Sequence, residues 1–180
     1  ELEILRGGNN FLENTVGLEV EVEFIEVYKD QPLFTEVHQF IESYGFSLID
    51  IRRTYWNRKI RSEGYSKGQL IFADTLYLKS PEKIVAIENI NFGKILRSIY
   101  VYLAYGYEDW SLELLELAKV KKLITNEIYN ETFLLIKRTS SSYHLPNFRG
   151  KGKLHNFFYS IAQIFQVSGF SSGTDSKIGN

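Results

Sequence analysis

Residues 16–27, VGLEVEVEFIEV, decide how this chain reads. Leu18, Val20, Val22 and Phe24 alternate with Glu19, Glu21 and Glu23. A period of two sends successive side chains to opposite faces, so the segment reads as a strand with one apolar and one acidic face. Upstream, Leu2, Ile4, Leu5, Phe11 and Leu12 recur at helical spacing across the interruption Gly7-Gly8-Asn9-Asn10, which predicts a helix, its end and a short extra turn. Downstream, Asp30-Gln31-Pro32 opens a helix whose apolar stripe is Leu33, Val37, Phe40 and Ile41 and whose stop is Gly45. Phe46 to Ile51 and Leu70 to Leu78 then read as second and third strands, both buried.

Between those strands lies Arg52 to Gly68, a long basic and aromatic loop carrying Arg52, Arg53, Arg58, Lys59, Arg61 and Lys67 with Tyr55, Trp56 and Tyr65. After Ser80-Pro81-Glu82 strand signals cease. Ile90 to Tyr105, Asp109 to Leu123 and Asn126 to Arg138 carry helical spacing, with Thr125 as an N-cap. A linker starts at Thr139 and runs through the basic stretch Arg149 to Lys153. Leu154 to Val167 reads as a further amphipathic helix, and Ser171 to Asn180 as a disordered polar tail. The expected organisation is a first unit at 1–80, a helical extension at 81–138, and a linker, helix and tail at 139–180.

Composition narrows the function classes. The 180 residues hold 21 Lys plus Arg against 22 Asp plus Glu, a formal charge of -1, which excludes binding to nucleic acid or lipid driven by bulk electrostatics. With 44% hydrophobic residues the chain is expected to bury a core. It has no Cys, which removes disulfides, thiolate metal sites and Cys nucleophiles. No apolar stretch approaches the roughly 18 to 20 residues of a membrane span, and the first residues lack a signal-peptide layout, so a cytoplasmic setting is expected. The chain also has no Met and opens on Glu1, although an initiator Met is removed mainly before small residues. A fragment is therefore expected, cut inside a domain because Glu1 already lies in helical spacing.

Three constellations carry possible chemistry. The carboxylates Glu19, Glu21 and Glu23 share one strand face, where each raises the pKa of its neighbours if water is excluded. They are either a solvated face, or, at the strand's carboxyl end, Glu21 or Glu23 acts as a base or positions a hydroxyl. The Arg52 to Gly68 loop is either a solvated connector or a lid able to stack on a sugar or pair with an anion. Asp74, inside the apolar run Ile71 to Leu78, requires a cation from the basic loop or an exposed edge position. His38, His144 and His155 share no metal-ligand spacing, and Gly150-Lys151-Gly152 is a linker rather than a phosphate loop.

Glu1-Leu-Glu-Ile-Leu-Arg-Gly-Gly, then Gly17-Leu-Glu-Val-Glu-Val-Glu-Phe, Tyr28 with Gln31-Pro-Leu-Phe-Thr-Glu-Val, Tyr44-Gly-Phe-Ser-Leu-Ile-Asp and Gly68-Gln-Leu-Ile-Phe-Ala-Asp-Thr-Leu-Tyr-Leu together resemble the C-terminal half of the FkbM family of S-adenosylmethionine-dependent methyltransferases. The resemblance implies an α/β fold: the C-terminal half of a Rossmann-like class I methyltransferase sheet, strands five to seven, followed by an all-α extension. The seventh strand would be antiparallel and inserted between the other two. The fifth would be central, where strands are normally apolar on both faces, which leaves its three glutamates unexplained. It further implies an O-methyltransferase acting on a sugar or other small hydroxylated metabolite. Glu21 and Glu23 would be catalytic, Tyr28, Arg53, Tyr55 and Trp56 would bind the acceptor, and the main S-adenosylmethionine site would lie upstream of Glu1. The competing expectation is a non-catalytic protein-interaction or assembly module whose helical extension meets a protein partner, with no nucleic acid and no membrane span.

Overall fold

The computed structural model describes residues 1–58, 68–139, 148–165 and 171–173. Two short helices, α1 (Leu2–Gly7) and α2 (Asn9–Leu12), precede strand β1 (Gly17–Glu23). Helix α3 (Phe34–Ser43) follows, with Glu36 accepting the Leu33 N–H at 3.1 Å and Gly45 leaving the helix at φ 84°. Strands β2 (Ser47–Trp56) and β3 (Gln69–Leu78) complete the central sheet. Then come α4 (Pro81–Val85, proline in its first turn), α5 (Phe92–Ala104), α6 (Glu108–Val120), α7 (Asn126–Thr139) and α8 (Lys151–Ile164).

The strand order is β1-β3-β2-β4, where β4 is the short segment Ser171–Gly173 paired with Thr54 to Trp56. Ser171 to Gly173 was expected to be disordered and instead extends the sheet. Every ladder is antiparallel. This overturns the expected fold class. β3 does lie antiparallel between β1 and β2, as the resemblance implied, but a Rossmann-like sheet is built mainly of adjacent parallel strands, and no parallel ladder is present among the described residues. The glutamate strand is likewise not central. β1 sits at the end of the sheet order, where one row of its backbone groups has no neighbouring strand among the described residues.

β3 is buried on both faces, and that divides the interior. Tyr77 points into a cluster with Leu2, Leu12, Val20, Val22, Val37, Ile41 and Phe46, beneath α1 to α3. Leu76 and Leu78 point the other way, into a cluster with Ile84, Ile95, Ile99, Tyr102, Leu114, Leu115 and Ile136 from α4 to α7. Gly17 is required by close approach here, since a Cβ would meet Leu78 Cδ2 at 2.5 Å. Removing most of the Leu76 side chain, which is 1% exposed, as Leu76→Ala should cost about 2–5 kcal/mol in urea unfolding.

The two clusters are pinned together at Lys79. The residue is 5% exposed, and its ammonium donates to the carbonyls of Leu12 and Glu13 at 2.7 Å each and lies 4.7 Å from the centre of the Phe46 ring. From the opposite side, Tyr102 donates its hydroxyl to the Lys79 carbonyl at 2.5 Å. Burial first, then the nearby Lys94, pushes the Lys79 amine down from 10.5 to about 8. Below that value both folded and unfolded chains carry the proton. Between it and 10.5 only the unfolded chain does, so stability rises with pH across this window. Tyr77, pushed up to about 12 by burial, acts in the opposite sense only once unfolded tyrosine ionises near 10. Urea unfolding followed from pH 7.5 to 9.5 should therefore show rising stability in the wild type and a flatter profile in Lys79→Met.

Candidate functional site

Alternation along three strands assembles one polar face. The register aligns Glu21 with Asp74 and Asp74 with Arg52, Glu19 with Leu76 and Leu76 with Asp50, and Glu23 with Phe72 and Phe72 with Thr54. The helices that cover Leu76 and Leu78 do not continue over Asp74, and the exposed Glu21 and half-buried Asp74 and Arg52 mark where the apolar cover stops.

Arg52 organises this face. Its Nε and Nη2 donate to the same Asp74 oxygen at 2.9 and 2.6 Å, and Nη2 stands 3.8 Å from Glu19. Glu19 also accepts the Tyr105 hydroxyl, from the end of α5, at 3.2 Å. Asp74 is thus matched by a cation, the pairing its position inside an apolar run required. Arg52 supplies that cation from within β2, not from a loop. Glu21 and Glu23 have no ion pair among the described residues. Burial, then Asp74, raises the Glu21 carboxyl, and burial, then Glu1, raises that of Glu23, although a hydrogen bond from Gln31 opposes the latter.

The expected site residues do not converge. Glu21 and Glu23 lie on the polar face, Glu21 exposed and Glu23 8% exposed at the end of β1. Tyr28 is 72% exposed in the connection after β1, where Gln31 Oε1 accepts its backbone N–H at 3.1 Å. Arg53 stands opposite Ala73, so alternation gives it the face away from Asp74. Tyr55 is 6% exposed and paired with Leu70, while Trp56 packs edge-on against Phe72 at 6.2 Å between ring centres. All three belong to β2, which corrects the expectation that a loop begins at Arg52. The remainder of that loop, residues 59–67, lies outside the described residues, as does His144.

The other two histidines are ordinary packing groups. His38 stacks on Phe34 at 5.1 Å and meets the Tyr77 hydroxyl at 3.1 Å, and His155 stacks on Tyr159 at 6.3 Å. Among the described residues no group of three or more His, Cys, Asp or Glu could hold a metal ion, and no helix is long and apolar enough to cross a membrane. Sequence reasoning passed over Arg52 and Tyr105 as members of the polar face. The signal for Arg52 was its cross-strand position opposite Asp74, which appears only once the register is known.

No family model, no curated protein and no solved structure matches the chain. With the small antiparallel sheet, this overturns the FkbM resemblance and the enzyme, cofactor and acceptor it implied. The methyltransferase activity, the S-adenosylmethionine cofactor and the small hydroxylated acceptor have neither a matching family nor the sheet such an enzyme requires.

Glu21 feels the charge of Asp74, its partner across the ladder. Replacing Asp74 by Asn should lower the Glu21 pKa without restoring its ordinary value, because burial, the larger cause, persists. Side-chain carbon NMR titration reads this directly, and an unmoved Glu21 curve would remove Asp74 as a cause.

Proposed function

We propose that the chain is a non-catalytic interaction or assembly module that docks a protein partner through α8. One observation carries this reading. Leu154, Phe157, Phe158, Ile161, Ile164 and Phe165 are between 37% and 78% exposed. Their spacing of three and four residues gathers them on one helical face, with Asn156 and Ser160 on the other. Exposing contiguous aromatic and aliphatic surface is costly, and surface of this kind characteristically meets a partner. Anchors at i, i+3, i+4 and i+7 suit an apolar groove that receives a helix.

Charge describes the rim of that groove. Residues 148–165 contain Arg149, Lys151 and Lys153 and no Asp or Glu. At 100° per residue Lys151 and Lys153 fall at the two borders of the apolar face, so acidic groups at the groove's margins would complement them. Pairing two copies of α8 would bring together segments that both lack acids. The polar sheet face supports a structural role beside this one, since Arg52 is committed to Asp74 and Tyr105 to Glu19. The unit boundaries at 80 and 138 and the cytoplasmic setting expected from the sequence are kept as parts of this proposal.

The double variant Phe158→Glu with Ile161→Glu should abolish assembly while leaving the thermal midpoint within about 2 °C, because neither side chain contributes to the buried clusters. Light scattering of the complex isolated with the wild-type and variant chains reads the first, and calorimetry the second. Assembly undiminished in a folded double variant would refute docking through α8.

A further inference from the structure

The edge of the sheet carries a second surface, independent of α8. Phe24 donates its N–H to Ile71 at 2.8 Å, and Lys79 donates to Val16 at 2.9 Å. In an antiparallel ladder these bonds identify the even-numbered residues of β1 as the ones hydrogen-bonded to β3. The N–H and C=O groups of Gly17, Glu19, Glu21 and Glu23 therefore point away from β3, toward an edge on which no strand lies among the described residues. The ladder runs from Gly17 to Glu23 without a register shift and without proline.

Edges are commonly protected by proline, bulges or short length, and β1 has none of these. It is protected by charge of one sign on one face. The other face, Leu18, Val20 and Val22, is occupied by the core beneath α1 to α3. A strand added to this edge would share its carboxylate face with Glu19, Glu21 and Glu23. In an antiparallel addition its residues opposite the glutamates would stand about 5.5 Å away, Cα to Cα. Pairing β1 with β1 of a second copy would set these glutamates against one another, which disfavours self-association through this edge.

We infer that the open edge of β1 is a strand-accepting site for an extended segment of another protein carrying Lys or Arg at alternate positions. Backbone hydrogen bonds to Glu19, Glu21 and Glu23 supply the attachment, and cations opposite their carboxylates supply the selectivity. The raised carboxyl groups of Glu21 and Glu23 agree with this, since burial and like charge leave both with a negative charge that no ion pair among the described residues offsets. A cation from an added strand would relieve that cost.

The probe is a capped heptapeptide alternating three Lys with Val and Thr, titrated into the 180-residue chain. Binding is followed by fluorescence anisotropy and by hydrogen exchange at individual amides. Saturable binding is expected, with new protection at the Glu19, Glu21 and Glu23 amides, and with about tenfold weaker affinity for the version carrying Glu in place of Lys. N-methylation of the three Lys amides should abolish binding, whereas N-methylation of the Val amides should leave it intact. Glu21→Pro removes one outward donor and no bond to β3, so it should block the peptide while retaining the fold. In the pair Glu21→Lys with Glu23→Lys the preference should invert toward the acidic peptide.

Four outcomes would overturn the inference: no saturation up to about 1 mM peptide, equal affinity for both charge versions, insensitivity to N-methylation of the Lys amides, or sedimentation showing that a second copy occupies the edge. The methylated peptides decide the matter even if Glu21→Pro does not fold. The readout lies on β1, so a failure here leaves docking through α8 untouched, and the reverse also holds.

Discussion

The structure depends on β3 being enclosed on every side. Both edges of the strand are taken, by β1 and β2, and both faces are covered, by Tyr77 toward α1 to α3 and by Leu76 and Leu78 toward α5 to α7. These three consecutive residues are 1%, 0% and 0% exposed, so a single turn of the pleat anchors two separate hydrophobic clusters. Lys79 continues the strand and closes the seam. The burial of its amine is compensated by two carbonyls and an aromatic face, because an unpaired ammonium in that position would be far more costly than a neutral side chain.

The central position of β3 sets the chemistry of the strands beside it. Where helices cover the sheet, the residues of β3 carry no charge, and the buried Thr75 donates its hydroxyl to the Val20 carbonyl at 2.7 Å. Where the cover stops, Asp74 appears and takes Arg52 as its partner. The glutamates of β1 follow from the same arrangement. A strand at the sheet margin tolerates carboxylates on the face that helices leave open, while the same residues in a strand enclosed like β3 would need three buried cations. Acidic residues that were anomalous in a central strand are thus ordinary at an edge, and they set the charge of whatever strand could join there.

Much of the local structure was legible. The alternation of residues 18–24, the proline and Gly45 around α3, and the periodicity of α5 to α7 all reflect short-range geometry, which a single chain displays openly. The extent of β2 was not. Its cationic and aromatic residues from Arg52 to Trp56 resemble a loop by composition, yet pairing with β3 holds them extended through one irregularity in register, between Thr54 and Tyr55. Tertiary pairing overrode local polarity, as it does when a polar residue has a partner across the ladder. The placement of Arg53, Tyr55 and Trp56 was hidden for a related reason, since they sit close in sequence but strand alternation and the register shift at Thr54/Tyr55 decide which face each takes.

By itself, the sequence determined the alternation of β1, the helix α3 with its stop at Gly45, the helical spacing of α5 to α7, and that Asp74 needed a cation or an exposed edge, because these follow from residue spacing and the cost of burying charge. Only the tertiary structure decided that β1 ends the sheet order among the described residues, that β2 runs on to Trp56, and that Arg52 answers Asp74. Strand partners and direction depend on contacts between residues distant in the chain, and one-dimensional periodicity is the same for a central strand as for an exposed one.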